Sequence, residues 1–390
     1  MFAPFVYPPV GSEEIATSKV LLAMMERGWE VDVISFADSK RYYPDEGQGE
    51  WLPLNKIVHG VKGFPFSGKM GTISWVVKAY AVGRKLAARK QYDFIMSRAA
   101  PQFGHLPALF VSRRLGLPWI ANWSDPMPPR KAPQPYGAGS GVSLPFLERT
   151  LFKAVMEGAS WHTFPCERLL RYMNSYMPGC QGKSSVVPHI ALKRFCSGSQ
   201  TSSDVFSLYY AGSLAMRDPS TFLEGVRIFL NERDDNAPVS VTFIGLPLDG
   251  LREAARRLGL NDIVKIEEVK KYEAVQEVLA KATVLVIIEA DCEEGVFFPS
   301  KFVDFVQTGR PILAVSPKTG TMSDILSKGG GIAADCRVPE EIAGAIKALY
   351  EEWQTGTLEM NYSSDRLFAI FNEENILTQY TELFKKLGGR

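Results

Sequence analysis

The strongest candidate for a ligand site is the run EADCEEGVFFPSKFVDFVQTGRPILAV, residues 289–315, which follows an apolar strand pattern. A helix is predicted to begin near Ser300, and the free N–H groups of 300–302 would favour an anion such as a diphosphate. Lys301 adds a positive charge. Asp304 lies three residues later on the same helical face, where its oxygens can bridge the vicinal hydroxyls of a ribose. The alternative is that the acids only solvate a loop.

A second candidate is YYAGSLAMRDP, residues 209–219, the predicted first strand and turn of the second half. Gly212 and Ser213 allow a ligand to approach the backbone closely. Arg217 is placed to hold phosphate oxygens with two hydrogen bonds. The alternative is that Arg217 is an ordinary surface arginine.

The opening run PPVGSEE, residues 8–14, has the same character in the first half. Gly11 and Ser12 lie between a predicted strand and a helix, where the helix N-terminus favours an anion. A plain strand-to-helix turn explains the pattern equally well, since the dinucleotide fingerprint GxGxxG is missing.

Two further strand ends in the first half carry polar side chains. Arg98, in SRAAPQFGH at 97–105, can hold an anionic or hydroxylated ligand. His105 either faces that ligand or is a partly buried helix residue bonded to the backbone. Asp125, in ANWSDP at 121–126, either orients or deprotonates an acceptor hydroxyl or caps a turn.

Strand-like apolar runs alternate with helical periodicity through most of the chain. The predicted strands are 31–35, 94–97, 119–122, 208–210, 239–244, 284–288 and 312–315. The predicted helices include 15–27, 103–115, 222–231 and 300–308. This alternation predicts an α/β protein with two Rossmann-like, doubly wound parallel sheets, each covered by helices on both faces. Ligands of such sheets bind outside the carboxyl ends of the strands, which is where the candidate residues lie.

Domain boundaries are predicted from a change in composition. The polar stretch SGSQTSSD, residues 197–204, resembles a linker. We therefore expect an N-terminal domain over 1–196, a second domain over 205–365, and a C-terminal segment over 366–390 that contains a last helix.

Two segments depart from this regular pattern. Residues 126–143 hold five prolines and three glycines and are predicted to form a long mobile loop of the kind that lies over a site. Residues 1–6 are short for an opening central strand, which leaves open whether Met1 is the true start.

Bulk composition excludes several classes. A chain of 390 residues with 46% hydrophobic residues exceeds the size of one core, and 44 basic against 43 acidic residues give no field for nucleic acid. The five cysteines lack any CxxC pair, so neither a zinc site nor a disulfide framework is expected. With no apolar run long enough to span a bilayer and no signal-peptide pattern, we expect a cytoplasmic protein.

The motifs together resemble the family 4 retaining glycosyltransferases, over nearly the whole chain and in order. SKFVDFVQTGRPILAV is similar to the donor-binding signature of that family, in which two acids precede a Gly-x-Pro turn and an apolar strand. PPVGS followed by RGWEVDVIS is similar to its opening, GLPWIANWSDP to its acceptor-domain strand with a terminal acid, and SSVVPHI to the strand before its interdomain linker.

The resemblance implies a GT-B fold, in which two Rossmann-like domains face a central cleft and the last helix returns to the first domain. Asp304 then matches the acid that binds ribose. Glu294 is the favoured match for the acid near the transferred sugar, with Glu293 left open, and Asp125 matches the acid on the acceptor side. His189, in SSVVPHI, falls on the acceptor side or in the cleft.

By the same resemblance, the substrates are a nucleotide diphosphate-sugar and a sugar or lipid-linked acceptor, with retention of configuration, no cofactor and no metal. The chain departs from the family pattern in three ways. The interval from Glu294 to Asp304 is longer than usual and ends in Asp rather than Glu. The usual Arg-Lys pair is reduced to Arg217, followed by Asp218, and Ser12 replaces a second glycine. The nucleotide, the sugar, the acceptor and the oligomeric state are not determined by the sequence.

Residues 69–90 are predicted to form a basic helix with no acid, which can either lie on anionic lipid or present a solvated basic face. Two rival functions remain open, namely a sugar-nucleotide epimerase of the same architecture and a non-catalytic nucleotide-binding subunit. A dehydrogenase is disfavoured because neither half carries the dinucleotide fingerprint.

Overall fold

The computed structural model describes residues 1–6, 11–36, 49–61, 69–99, 102–196, 204–245 and 250–388. The chain forms two compact units. The first contains residues 1–132, 137–190 and 373–390, and the second contains 133–136 and 191–372.

The first unit is an α/β unit with parallel strands. Its strands are β1 Val33–Phe36, β2 Val58–Val61, β3 Ile95–Arg98, β4 Trp119–Asn122, β5 Trp161–Phe164 and β6 Ser184–Val186. Its helices are α1 Ser12–Glu26, α2 Lys69–Ala87, α3 His105–Leu115, α4 Phe146–Gly158 and α5 Glu167–Tyr176, joined by the last helix of the chain, Glu373–Lys386.

The opening residues join the strands of this unit into one sheet. Phe2 forms parallel bridges to Ile34 of β1 and to Ser97 of β3, and its amide donates to the Met96 carbonyl at 2.8 Å. Of the described residues 1–6, only Phe2 forms such bridges, so the predicted opening strand is central but very short. The remaining order is β3-β4-β5-β6 on one side and β1-β2 on the other.

The second unit is a six-stranded parallel sheet with helices. Its strands are β7 Phe206–Ala211, β8 Val239–Ile244, β9 Val264–Glu267, β10 Val284–Ile288, β11 Ile312–Ser316 and β12 Gly331–Asp335. Its helices are α6 Ser220–Glu232, α7 Leu251–Arg257, α8 Tyr272–Leu279, α9 Lys301–Val306, α10 Thr321–Leu326, α11 Pro339–Gln354, α12 Leu358–Tyr362 and α13 Asp365–Phe371. We number the last helix, Glu373–Lys386, α14.

The strand order in the second unit is β12-β11-β10-β7-β8-β9, so the chain crosses back over β7 when it passes from β9 to β10. Every residue of β10 and β11 is buried. That continuous burial explains the unbroken apolar runs VLVII and ILAVS, because helices cover both faces of a parallel sheet. The predicted α/β class is therefore confirmed. The short, partly exposed strand β9 was not predicted, whereas β6 lies in SSVVPHI, where the resemblance implied a strand.

The unit boundaries differ from the predicted domain limits. They lie at 190/191 and 372/373 rather than at 196/197 and 365/366. Two hydrogen bonds give the reason, since the amide of Ala191 donates to the Phe371 carbonyl at 2.7 Å and that of Leu192 donates to Gln307 at 2.9 Å. Of the predicted linker 197–204, all but Asp204 lies outside the described residues.

No helix in the described parts of the chain combines the length and apolar character needed to cross a membrane.

Candidate functional site

The main candidate site lies in the second unit, where the loops after β7 and β10 leave adjacent strands. The strand order reverses between these two strands, and a crevice at such a point is the usual ligand site of an open α/β sheet. The loop after β7 supplies Gly212, Ser213 and Arg217, and the segment after β10 leads to Lys301. The fold thus brings two separately predicted groups of residues to one sheet edge.

Lys301 is the residue that joins the two loops. Its Nζ donates to the Ala211 carbonyl at 2.7 Å and to the Tyr210 hydroxyl at 3.1 Å, and it lies 4.2 Å from the centre of the Tyr210 ring. Burial, followed by the charge of Arg217, lowers the pKa of Lys301 to about 7. The lysine is therefore held beside the end of β7 as a readily titrated cation.

Gly212 is required by this arrangement. Its φ of +117° is a backbone conformation that favours glycine, and a Cβ atom there would lie 2.8 Å from the Lys301 Nζ. Its carbonyl oxygen lies so close to Gly245 that a Cβ atom added to Gly245 would clash with that oxygen. A side chain at either position would displace the loop.

Arg217 lies on the same side as Lys301. Its guanidinium is 6.0 Å from the Tyr136 ring centre, and it approaches the Ser213 carbonyl at 3.4 Å. Its positive charge lowers the pKa of Lys301, so the two cations lie within electrostatic range of each other. Two nearby cations at a sheet edge are suited to an anionic group with more than one charge.

Glu289 is the functional candidate that sequence reasoning missed. It is the first residue after β10 and is only 7% exposed, and among the described residues its Oε2 has no hydrogen-bond partner. Burial raises the pKa of Glu289 to about 7, against the opposing charges of Arg217 and Lys301. The available signal was its position directly after a buried strand, but Glu293 and Glu294, further along the loop, were favoured instead.

Glu294, the favoured acid of this loop, is exposed, as is Glu293. The neighbouring Gly295 forms a parallel bridge to Gly320, the residue before α10, and its carbonyl accepts from the Thr321 amide at 2.8 Å. An added Cβ at Gly295 would lie 3.1 Å from the Gly320 Cα. The acidic loop is therefore anchored across the end of β11.

Asp304 is held by a half-buried tyrosine. The Tyr272 hydroxyl donates to Asp304 Oδ1 at 2.6 Å, and Gln307 donates to the same hydroxyl at 3.1 Å. Burial, followed by the charge of Asp304, raises the pKa of Tyr272 well above its usual value. The tyrosine therefore stays protonated and fixes the orientation of the Asp304 carboxylate.

The predicted helix start needs a correction. The helix covers Lys301–Val306 with Ser300 as its N-cap, and the Phe302 amide is bonded to the Pro299 carbonyl at 2.9 Å. The expectation of free N–H groups throughout 300–302 is therefore wrong at Phe302. The reason is that the chain tightens into a turn at Pro299 before the short helix begins.

In the first unit, Arg98 is engaged by the chain itself. Its Nε donates to Glu13 at 2.7 Å and its Nη2 to Ser124 at 3.1 Å, and the residue is 5% exposed. Burial is the largest influence and lowers the pKa of Arg98, but the charge and hydrogen bond of Glu13, with smaller contributions from Tyr380 and Asp125, together raise it. The expectation that Arg98 holds a ligand is not supported by this pairing. Asp125 follows β4, is exposed, and also raises the pKa of Arg98.

The start of α1 is already supplied with carboxylates. Gly11 is the N-cap, Ser12 is exposed, and Glu13 and Glu14 occupy the first turn. A Cβ on Gly11 would overlap the Glu14 carboxylate. An anion at this helix start would therefore meet two like charges, so the structure favours the plain strand-to-helix turn. Pro8 and Pro9 of the predicted motif lie outside the described residues.

His105 is fully buried, which argues against a ligand-facing role, but its partner is a side-chain hydroxyl and not the backbone, as the alternative expected. Its Nδ1 is 2.7 Å from the Ser97 hydroxyl, and its ring lies 4.2 Å from that of Trp123. Burial lowers the pKa of His105 well below its usual value. His189 is also buried, at 9% exposure, and lies just before the unit boundary.

The proline-rich stretch 126–143 has fixed anchors that composition did not predict. Tyr172 donates to the Lys131 carbonyl at 2.7 Å and Tyr176 to the Met127 carbonyl at 3.0 Å. Residues 133–136 belong to the second unit, where the Tyr136 ring lies 4.8 Å from that of Phe297. Through Tyr136 the stretch contributes an aromatic ring beside Arg217.

In the described ranges, no group of three or more His, Cys, Asp or Glu side chains is arranged to hold a metal ion.

Comparison with known proteins identifies the fold but no family. No family model matches the chain, and no curated protein is similar to it in sequence. Similar solved structures include a glycosyltransferase from Rickettsia africae, with a TM-score of 0.71, 11% identity, and coverage of 99% of this chain and 97% of that one. Sucrose-phosphate synthase from Thermosynechococcus elongatus gives a TM-score of 0.69 at 12% identity, covering 97% of this chain and 93% of that one.

A third similar structure is the UDP-GlcNAc 2-epimerase from Neisseria meningitidis bound to UDP-GlcNAc. Its TM-score is 0.59 at 13% identity, and the match covers 98% of this chain and 99% of that one. The similar structures are thus GT-B proteins, both glycosyltransferases and epimerases. Taken with the two parallel-sheet units, they show that this chain has the GT-B fold.

Proposed function

We propose that the protein is a glycosyltransferase that binds a nucleotide diphosphate-sugar in its second unit and transfers the sugar to an acceptor. One observation carries the proposal. At the crevice between β7 and β10, Gly212 leaves room for the Lys301 ammonium, and Arg217 adds a second positive charge. Two cations at this edge of the sheet suit the diphosphate of a nucleotide sugar.

In this proposal the two cations assist the chemical step. When the bond from sugar to diphosphate breaks, negative charge grows on the departing oxygen. Preorganised positive groups stabilise such charge more in the transition state than in the ground state. Lys301 and Arg217 take that role. Ser213 and Ser300 lie in the same two segments, after β7 and after β10, and are proposed to contact the donor as well.

Asp304 is proposed to hold the ribose, because Tyr272 fixes one of its oxygens in place. By the resemblance to the family donor signature, Glu294, which is exposed on the loop after β10, is proposed to contact the transferred sugar. Asp125, exposed at the end of β4, is proposed to orient the acceptor hydroxyl. Membership of glycosyltransferase family 4 and retention of configuration rest on the resemblance of 289–315 to its donor signature.

The first test is thermal stabilisation by UDP, GDP, ADP and their common sugar conjugates. A nucleotide that binds the folded state raises the unfolding temperature. Selective stabilisation by one nucleotide, weakened in Asp304→Ala and retained in Asp262→Ala, is the expected result. Asp262 is an exposed acid of the same unit and serves as the matched control. No shift with any nucleotide would contradict the proposal and favour a non-catalytic role.

A sugar-nucleotide epimerase is the second candidate, supported by the similarity to the UDP-GlcNAc 2-epimerase from Neisseria meningitidis. Incubation of the purified protein with the stabilising nucleotide sugar, without acceptor, separates the two functions. Conversion to an epimeric sugar nucleotide, detected by proton NMR, would support the epimerase. An unchanged nucleotide sugar that is consumed only when acceptor is added would support the transferase.

A peripheral membrane contact of the first unit is also proposed, with anionic lipid as its partner. On α2, Ile73 and Val77 are 58% and 60% exposed, and Lys78, Arg84 and Lys85 are exposed beside them. Apolar side chains flanked by basic ones are typical of helices that lie at a membrane surface.

Vesicle sedimentation tests this contact. Wild type is expected to bind vesicles of phosphatidylglycerol and phosphatidylcholine, and the paired change Ile73→Ser with Val77→Ser is expected to release it. Binding that is unaffected by this change, or no binding by wild type, would end the idea.

A further inference from the structure

The carboxyl of Glu289 is an unusual group beside the proposed diphosphate site, because it is buried and one of its oxygens has no hydrogen bond among the described residues. The residue is only 7% exposed, and its Oε2 atom makes no hydrogen bond within the described residues. A buried acid normally gains a hydrogen bond or an ion pair, because an isolated buried charge is costly. Arg217 and Lys301 attract it electrostatically, yet neither makes a direct ion pair with it in the described part of the chain.

We propose that Glu289 couples ligand binding to protonation, so that a diphosphate bound beside Arg217 and Lys301 drives the uptake of a proton by the Glu289 carboxyl. This inference rests on the proposed function, since it requires a diphosphate at that site. It assigns Glu289 a positioning and coupling role distinct from the roles of the exposed acids of the loop.

The physical basis is competition for the same two cations. Without ligand, the positive charges of Arg217 and Lys301 favour the ionised form of Glu289 and hold its pKa down against burial, to about 7. A diphosphate neutralises those cations and adds negative charge nearby, so the carboxylate then loses its compensation. The carboxylate takes one proton from solvent and becomes a neutral acid, with no other bond formed or broken.

Lys301 responds in the same direction. Its pKa is lowered to about 7 by burial and by Arg217, and a neighbouring diphosphate favours its charged form. Both groups therefore gain protons on binding. Affinity is fully present below the pKa of the unliganded groups, about 7, and decreases as the pH rises from there toward the higher pKa values of the complex.

Other titratable groups around Glu289 do not compete for this proton near neutral pH. Two thiols face it, Cys292 from its own loop and Cys336 from the end of β12, and burial raises their pKa values to about 11 and about 12. Beyond these lie charged groups that interact with the thiols or with Lys301, namely Asp291, Asp304, Asp335 and Arg337. Glu289 and Lys301 are thus the groups placed to change protonation.

Isothermal titration calorimetry measures the coupling directly. UDP-glucose, GDP-glucose and ADP-glucose are titrated at pH 7.5 in phosphate and in Tris, which differ in ionisation enthalpy, so that the heat reports the protons exchanged. These conjugates are suitable because their diphosphate is a diester without a terminal phosphate that titrates near neutrality. Wild type is expected to take up about one to two protons per ligand, and Glu289→Gln about one fewer.

The pH dependence of affinity provides the second measurement. Each group that becomes fully protonated in the complex weakens binding about tenfold between pH 6 and pH 8. Wild type is therefore expected to weaken about a hundredfold and Glu289→Gln about tenfold. Glu340→Gln, an exposed acid of α11, is the matched control and should behave as wild type.

The outcomes distinguish the proton coupling from the proposed function. Binding of a conjugate by wild type without proton uptake overturns the coupling and leaves the proposed function intact, even if Glu289→Gln does not fold. Equal proton uptake by wild type and Glu289→Gln also overturns it. Failure of all three conjugates to bind, together with failure of the free nucleotides to stabilise the fold, overturns the proposed function and the coupling with it.

Discussion

The carboxyl edges of the two sheets use basic side chains in opposite ways. In the first unit, Arg98 is paired with Glu13 at 2.7 Å and bonded to Ser124. In the second unit, Lys301 bonds to a hydroxyl and a carbonyl, and the buried acid Glu289 is left without a hydrogen bond to Oε2 among the described residues. The same kind of sheet edge is thus internally neutralised in one unit and left with spare positive charge in the other.

This difference explains why the second unit is the better candidate for an anionic ligand. A cation that already has a carboxylate partner offers a ligand little, because the ligand must displace that partner. A cation bonded only to neutral oxygens keeps its charge available. Arg98 therefore serves the fold, whereas Arg217 and Lys301 are the groups to examine for function.

The largest expected effect tests the structural side of the comparison. Arg98→Met leaves the Glu13 carboxylate, whose side chain is only 13% exposed, without its partner, and should lower the free energy of unfolding by about 3 kcal/mol. Urea unfolding followed by circular dichroism gives the value. The matched change Arg27→Met, at an exposed pair with Glu374, should cost less than about 1 kcal/mol. Equal losses in the two variants would show that the Arg98 pair has no special structural role.

The second prediction tests the functional side. Gly212→Ala places a Cβ 2.8 Å from the Lys301 Nζ at a φ of +117°, and should weaken nucleotide binding about 30-fold, or ~2 kcal/mol. Gly259→Ala is the control, because that glycine has a φ of +66° and open space around it. The control should lose some stability but keep its affinity in calorimetric titration. Unaltered affinity in Gly212→Ala would remove the glycine from the site.

The third prediction concerns stability and pH in the absence of ligand. The pKa of Glu289 is about 7 in the folded chain against 4.5 as its ordinary value, so the folded state holds the extra proton between those values. Its ionised, buried carboxylate therefore destabilises the fold as the pH rises from about 4.5 to 7. The stability advantage of Glu289→Gln over wild type should therefore be about 2 kcal/mol larger at pH 8 than at pH 5. Urea unfolding at both pH values checks this, and a variant that is less stable at pH 8 would contradict it.

The smallest effect concerns the tyrosine that holds Asp304. Tyr272→Phe removes the hydroxyl that lies 2.6 Å from Asp304 and 3.1 Å from Gln307, and should cost about 1 kcal/mol of stability. Tyr362→Phe is the control, since no hydrogen bond of its hydroxyl is found within the described residues. A loss no greater than in this control would mean that the tyrosine does not hold the carboxylate.

Much of the fold was predictable because it depends on local pattern. The strands 119–122, 239–244 and 284–288 were predicted with the bounds that the structure has. Long apolar runs between glycines and prolines report burial on both faces of a strand, and that signal is contained in a few consecutive residues. The partly exposed strand β9 was not predicted because it carries little of this signal.

The site was only partly predictable. Gly212, Arg217 and Lys301 could be named as candidates because each follows a strand or begins a helix, which sequence can locate. Glu289 was missed, and a ligand was predicted at Arg98. The roles of both residues depend on which side chains pair in the folded protein. Glu13 and Arg98 are 85 residues apart in the chain, and no local pattern reports such a pairing.

By itself, then, the sequence determined the α/β class, the order of the elements and the loops in which charged residues concentrate, since these follow from hydrophobic periodicity and from glycine and proline positions. Only the tertiary structure decided that Arg98 is neutralised, that His105 is buried, and that Glu289 is buried without a partner for Oε2 among the described residues. The physical reason is that burial and charge pairing depend on distances between segments remote in sequence, which exist only once the sheets have formed.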